Sequence, residues 1–137
     1  MILNDFMLAE SMFMEGNGEE AFWIFSQIAV DELRNNAERA DAYNMMGVIV
    51  NGIAPHLDLE DESGLKYYKK ALLLDPDNIG ALLNIIGSFG MSPNMHRDVD
   101  VFLDTYNRLM NKKEELEYED KKMIERKYEL GKQLLIM

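Results

Sequence analysis

The sequence contains no cysteine, and only three of its 137 residues are proline and nine are glycine. The lack of cysteine excludes disulfides, thiolate metal sites and cysteine nucleophiles, and it agrees with a reducing compartment. No apolar run reaches the roughly 20 residues that a membrane-spanning helix needs. Residues 1–14 are apolar-rich but carry acids, and they lack the basic start and small-residue cleavage site of a signal peptide. We therefore expect a cytoplasmic protein that does not associate with membranes.

Metal-binding patterns are also missing. The only histidines, His56 and His96, stand far apart in the sequence, and neither has a second ligand at helical spacing. The acidic segment 58–64 alternates acids as a calcium loop does. It departs from that loop because Ser63 occupies the position of the glycine that makes the sharp turn, and Lys69 occupies the position of the bidentate glutamate. We expect no metal and no cofactor.

Sequence signatures of catalysis are absent as well. The chain has no nucleophile elbow, phosphate-binding loop or dinucleotide fingerprint, and the GSFG of residues 87–90 lies within a helical pattern with no strand before it. Carboxylates are numerous, but nothing marks a pair of them as buried or convergent. We therefore expect that the protein is not an enzyme.

The formal charge of −11 lies mainly in the first half of the chain. Residues 1–34 contain seven acidic residues and one basic one, whereas residues 79–137 contain ten and nine. Nucleic acid would be repelled, since phosphate binding depends on clustered lysine and arginine. A basic protein would be attracted, although the same acidity also serves solubility alone.

Apolar residues recur at spacings of three and four between the few glycines and prolines, a pattern typical of helices. No stretch alternates as a strand would. The pattern predicts a single all-α domain of antiparallel helix hairpins joined by short turns. The predicted helices cover residues 2–14, 19–34, 40–51, 64–74, 79–89, 96–111 and 115–135.

The segment from residue 67 to residue 85 resembles the junction between two tetratricopeptide repeats. In that family the second helix of a repeat carries a small residue, an aromatic residue and an alanine before a proline that ends it. Those positions hold Gly64, Tyr68, Ala71 and Pro76. In the preceding helix, the aromatic, leucine and glycine positions of the family hold Tyr43, Met46 and Gly47.

The flanking repeats match the family less well. In the first, Ala21 and Phe25 fit, but Ile28 replaces the alanine and no proline follows. In the third, Ala81 and Leu82 fit, whereas the packing glycine is replaced by isoleucine. The resemblance implies a short solenoid of degenerate repeats with a charged amphipathic helix that caps the last one. Its units are residues 2–39, 40–78 and 79–111, and the capping helix is 115–135.

In this family the first helix of each repeat lines a concave groove that holds a partner peptide. Helices 2–14, 40–51 and 79–89 contain no lysine or arginine, so the carboxylate clamp of chaperone-binding members is not expected, and apolar or basic segments fit better. Met7 lies on or beside this groove, as an adaptable contact or as core filling. By the resemblance, the groove residues are Phe6, Glu10, Phe13, Asp41, Asn44, Val48, Asn51, Leu83, Asn84 and Gly87.

Two functions follow from these observations. The first is a non-catalytic adaptor or chaperone that binds a partner polypeptide in the groove. The alternative is an immunity protein or antitoxin that inhibits a basic toxin, such as a nuclease, by charge-complementary blockade. Its acidic site would comprise Glu19, Glu20, Asp58, Glu60, Asp61 and Glu62. The apolar first helix leaves a homodimer open.

Overall fold

A computed structural model of the chain describes residues 4–90 and 95–136, and every regular element within those ranges is helical. Two short 3₁₀ turns, Pro55–Leu57 and Lys113–Glu115, interrupt the connections. The prediction of an all-α fold is confirmed. The start of the first predicted helix and the predicted break at 91–94 lie outside the described residues. The α-helices are α1 Asp5–Met14, α2 Gly18–Val30, α3 Asn36–Gly52, α4 Leu65–Leu74, α5 Ile79–Ser88, α6 Val99–Met110 and α7 Tyr118–Ile136.

Capping side chains set several helix boundaries that the apolar pattern placed wrongly. The helix predicted over 40–51 begins earlier, because the Asn35 side chain accepts a 2.8 Å hydrogen bond from the backbone N–H of Glu38. The helix predicted over 96–111 begins later, because Asp98 caps the N–H of Val101 at 3.2 Å. The predicted second helix ends before residue 34, since Asp31 has an extended backbone. The last helix, predicted to begin at residue 115, begins three residues later, at Tyr118.

The helices form two layers. Each helix packs against the next one along the chain, and in addition α3 packs against α5 and α5 against α7. We call α1, α3, α5 and α7 the A layer, and α2, α4 and α6 the B layer. Within the B layer the rings of Phe22 and Tyr67 meet edge to face, with centroids 6.0 Å apart. Stacked helix hairpins are thereby confirmed, and α7 continues the A layer past α5.

Two apolar clusters fill the space between the layers. One comes mainly from α1, α2 and α3, and the other from α5, α6 and α7. Small residues join them where α3, α4 and α5 meet, since Ala40, Ala71 and Ala81 are fully buried together. The methyl side chains let three helices approach closely, so the two clusters form one continuous interior.

The closest helix contact joins α3 and α4 at Gly47. A Cβ atom built on Gly47 would lie 2.8 Å from Cδ1 of Tyr68 and 3.0 Å from the carbonyl oxygen of Gly64. Gly64 has φ +77°, a conformation that side chains rarely adopt, and its own missing Cβ faces the backbone of Gly47. Tyr68 is 1% exposed, and its burial raises the pKa of the phenol to about 12. The ring therefore stays neutral and fills the gap that the two glycines leave.

We expect Gly47→Ala to lower the free energy of unfolding by about 1–3 kcal/mol, because the new methyl group overpacks a ring that cannot move aside. Urea denaturation followed by circular dichroism measures this change. Gly52→Ala is the control: nothing lies within 4 Å of a Cβ there, so its stability should be unchanged or slightly higher. Equal stabilities of the two variants would contradict the tight contact.

His96, which the apolar pattern placed at a helix start, is instead a buried residue of the α5–α6 connection. Its ring is 7% exposed, and Nε2 lies 2.7 Å from the carbonyl oxygen of Ile85. Nε2 therefore carries the proton, and Nδ1 has no hydrogen-bond partner among the described residues. Burial lowers the pKa of His96, with a smaller lowering from Lys69, against raising effects of the Ile85 carbonyl, Asp98 and Asp61.

We expect the free energy of unfolding to fall as the pH is lowered from about 7.5 to about 5.5, partly because of His96. A histidine with a lowered pKa in the folded state binds its proton more readily in the unfolded chain. Its stabilising effect is therefore complete above about 6.5 and is lost as the pH falls through the folded pKa. Urea titrations of His96→Gln should give a flatter dependence on pH than those of the parent. An unchanged slope in His96→Gln would refute this assignment.

Candidate functional site

The described residues contain no cluster of three or more histidine, aspartate or glutamate side chains that could hold a metal ion. Over the same residues, no helix combines the length and the apolar character needed to cross a bilayer. The described residues also form clefts and charged surfaces, and we begin with the predicted groove.

At one end of the A layer, a cleft of 280 Å³ opens between α1 and α3. We call it the α1–α3 cleft. Phe6 and Asp41, which the resemblance assigned to one groove from two different helices, both line it. The other lining residues are Asn4, Met7 and Glu38, of which only Met7 was associated with the groove from the sequence. Asn4 and Glu38 escaped notice because they sit in the cap and first turn of their helices.

The apolar side of this cleft is held by the N-terminal core. Phe6 is half-buried, and its ring meets the fully buried ring of Phe25 edge to face at 5.3 Å. The side chain of Asn4 caps α1 by accepting a 2.8 Å hydrogen bond from the N–H of Met7. Met7 remains 46% exposed. The cleft thus presents one anchored aromatic ring and one accessible thioether.

The acidic side of the cleft is organised by a single arginine. Arg34 reaches Asp5 of α1 at 3.2 Å, Glu38 of α3 at 2.6 Å and Asp31 at 3.2 Å. One guanidinium therefore faces three carboxylates and ties α1 to α3. With the exposed Asp41 beside them, carboxylates outnumber this cation. The surface around the cleft favours a cationic group.

Further along the A layer, the predicted groove amides bond to each other. Asn84 Nδ2 donates to Asn44 Oδ1 at 2.8 Å, and Asn78 Nδ2 donates to Asp41 Oδ1 at 2.8 Å. Both bonds join α3 to α5. A partner would have to compete with these bonds, so they act first as a polar seam between two helices.

The remaining predicted groove residues are distributed along the same helices. Glu10 is exposed, whereas Phe13 packs against the N-terminal cluster and Leu83 against the C-terminal one. A Cβ on Gly87 would meet Met123 of α7 at 3.9 Å. Those not yet placed, Val48 and Asn51, are half-buried on α3.

Arg39 was not predicted to lie in a groove-lining helix. Arg39 belongs to α3 because that helix begins at Asn36, so the prediction of a lysine- and arginine-free set of helices is wrong for α3. Its Nε donates to the carbonyl oxygen of Ala29 at 2.9 Å. On α7, Lys127 Nζ donates to the carbonyl oxygen of Phe89 at 2.7 Å, and burial lowers its pKa. Both cations are therefore directed at backbone carbonyls.

Two of the six residues in the alternative acidic site build the loop before α4. The carboxylate of Asp58 accepts a 2.8 Å hydrogen bond from the hydroxyl of Tyr67 and forms an ion pair with Lys66, which holds its pKa low. Asp61 accepts from the hydroxyl of Ser63 at 2.6 Å and from the backbone N–H of Lys66 at 2.5 Å. These carboxylates are bonded within the loop.

The other four acids lie nearer to solvent. Glu19 and Glu20 are exposed in the first turn of α2, where negative charge is favoured by the helix dipole. The carboxylate of Glu19 lies 3.3 Å from Nε2 of His56. Glu60 is exposed and Glu62 is half-buried. The six acids therefore fall into two groups, one on α2 and one on the loop.

Comparison with known proteins gave no match: no family model, no curated protein and no solved structure is significantly similar to this chain.

We expect Asp58→Ala to lower the free energy of unfolding by about 1–3 kcal/mol, because it leaves the buried hydroxyl of Tyr67 without its acceptor. The exposed Glu60→Ala should change stability by less than about 0.5 kcal/mol. Chemical denaturation of both variants at neutral pH compares them. If the two variants were equally stable, Asp58 would be a surface acid and the loop interpretation would be wrong.

Proposed function

We propose that this protein is a non-catalytic interaction module, of the adaptor or chaperone type, that binds an apolar or basic segment of a partner polypeptide along its A layer. The α1–α3 cleft is the centre of the site. The module acts in the cytoplasm, needs no cofactor, and binds neither nucleic acid nor membranes.

The single observation that carries this proposal is the composition of the α1–α3 cleft. Phe6 and Met7 offer apolar contact on one side. On the other side lie two carboxylates, Glu38, which is paired with Arg34, and the exposed Asp41, one oxygen of which accepts from Asn78. Its 280 Å³ lies just below the roughly 300–1,000 Å³ of small-molecule pockets, so side chains of a polypeptide suit it better than a drug-sized ligand. A lysine or arginine has both the aliphatic stem and the cationic end that this arrangement favours.

The proposal is supported by the resemblance to tetratricopeptide repeats. Four of the seven residues that carry it in the central repeat, namely Gly47, Gly64, Tyr68 and Ala71, are buried where α3 meets α4. We propose that residues 2–39, 40–78 and 79–111 are degenerate repeats and that α7 caps them. In that family the layer of first helices is the binding face, which corresponds here to the A layer.

The inhibitor alternative uses the acidic residues of α2 and of the loop before α4. It is the weaker proposal, since Asp58 and Asp61 are bonded within their own loop. The two proposals place the partner on different surfaces. Substitutions on each surface therefore separate them.

To test the groove proposal, the tagged chain is used to capture partners from native lysate, and each identified partner is purified and titrated by calorimetry. We expect Met7→Lys to weaken binding by about tenfold or more, because it places a cation where a basic or apolar segment docks. Leu8→Lys is the matched control. It makes the same charge change one residue along α1, at a side chain that does not line the cleft.

The outcomes are distinct. A partner whose affinity falls in Met7→Lys but not in Leu8→Lys supports the groove. A partner that binds both variants equally, binds more slowly at high salt and is lost in Glu60→Lys would support the acidic inhibitor instead. Phe6→Ala and Phe13→Ala are unsuitable probes, because both rings pack against the N-terminal core and their loss would disturb folding.

A further inference from the structure

A second and larger cleft lies in the B layer, away from the proposed groove. It has a volume of 460 Å³ and opens between α4 and α6. We call it the α4–α6 cleft. Leu72 and Leu73 line it from α4, Val101 lines it from α6, and the fully buried Ile85 of α5 lies between them. The apolar part of its lining is thus contributed by three helices.

Leu73 distinguishes this cleft from an ordinary packing defect. It is 84% exposed although it lies within the last turns of a helix whose other face is buried. On the opposite wall, the hydroxyl of Thr105 donates to the carbonyl oxygen of Val101 at 2.8 Å, so this hydroxyl needs no water molecule as its acceptor. The apolar side chain of Leu73 is therefore exposed to water, and an apolar occupant of the cleft would bury it.

The two walls of the cleft carry different charges. Asp100 and Asp104, one helical turn apart and both exposed, lie on the α6 wall, and Lys69 lies on the α4 wall. Arg108 also lines the cleft, but it donates to the carbonyl oxygen of Pro76 at 2.7 Å and lies 3.9 Å from Asp104. The cation of α6 is thus already directed towards the α4–α5 turn.

The length of the walls indicates the size of the occupant. The lining residues span positions 69–73 of α4 and 100–108 of α6, which at about 1.5 Å per residue is some 6 Å on one wall and 12 Å on the other. An added helix with apolar side chains at i, i+3 or i+4, and i+7, a rise of about 10.5 Å, would lie along the α6 wall.

We propose that the α4–α6 cleft is a second docking site, which binds an amphipathic helix of a partner protein. Its apolar ridge covers Leu73 and Val101, and a basic flank faces Asp100 and Asp104, with an acidic residue opposite Lys69. This site is separate from the A-layer groove, and the proposal does not depend on the function proposed for that groove.

The test selects helical peptides of about 14 residues from a phage library against the full chain. Leucines are fixed at i, i+3, i+4 and i+7, and the flanking positions are randomised among Lys, Glu, Ser and Ala. We expect lysine to be enriched on one flank. The affinity of the selected synthetic peptides, measured by fluorescence anisotropy, should fall about tenfold with Leu73→Ser, because an apolar contact is lost.

Matched variants identify the site. Leu33→Ser alters a leucine that is 97% exposed outside the cleft, and it should leave the affinity unchanged. Asp100→Asn with Asp104→Asn should remove the preference for lysine, whereas Glu119→Gln with Glu125→Gln on α7 should not. Met7→Lys, in the other layer, should bind the peptides as the parent does.

Three results would overturn the proposal. The first is a selection that yields no peptide with measurable affinity. The second is a set of peptides whose affinity is the same for Leu73→Ser and Leu33→Ser. The third is a concentration-dependent dimer, measured by analytical ultracentrifugation, that Leu73→Ser dissociates; a second copy of the chain would then be the occupant.

Discussion

The contact between α3 and α4 at Gly47 is the constraint on which the rest of the architecture depends. Gly47 and Gly64 bring the two backbones together, and the neutral, buried ring of Tyr68 fills the space beside them. Because α3 also packs against α2 and α5, its position determines where these neighbouring helices can pack. The alanines where α3, α4 and α5 meet act in the same way, because their short side chains let three helices approach closely.

Hydrogen bonds then decide which parts of the A layer are available to a partner. The bond between Asn44 and Asn84 ties these two side chains together across α3 and α5, whereas Arg34 spans the α1–α3 cleft and leaves it open beside itself. In the B layer, α4 and α6 leave an apolar cleft over α5. Each of the two layers thus has a cleft with carboxylates on one wall, but the apolar contacts differ: an aromatic ring and a thioether in one, leucine and valine in the other.

Sequence reasoning worked best where the signal is local. The order of seven helices followed from apolar spacing, and the repeat-like pattern drew attention to Gly47 and Tyr68, which the structure brings into contact. It failed at helix ends, because Asn35 and Asp98 cap helices through single hydrogen bonds that hydropathy does not register. It also failed for His96, which resembles a surface polar residue until the fold surrounds it.

By itself, the sequence determined the helical class, the acidity of the first half and the absence of cysteine chemistry, because these depend on composition and on spacing within one segment. Only the tertiary structure decided which polar groups are free. In the sequence, Asp58 and Glu60 are two acidic residues of the same segment. In the structure, Asp58 accepts a hydrogen bond from Tyr67, whereas Glu60 is exposed. The α4–α6 cleft likewise exists only because two helices distant in sequence stand apart over a third. Such features depend on distances between segments, which no local pattern encodes.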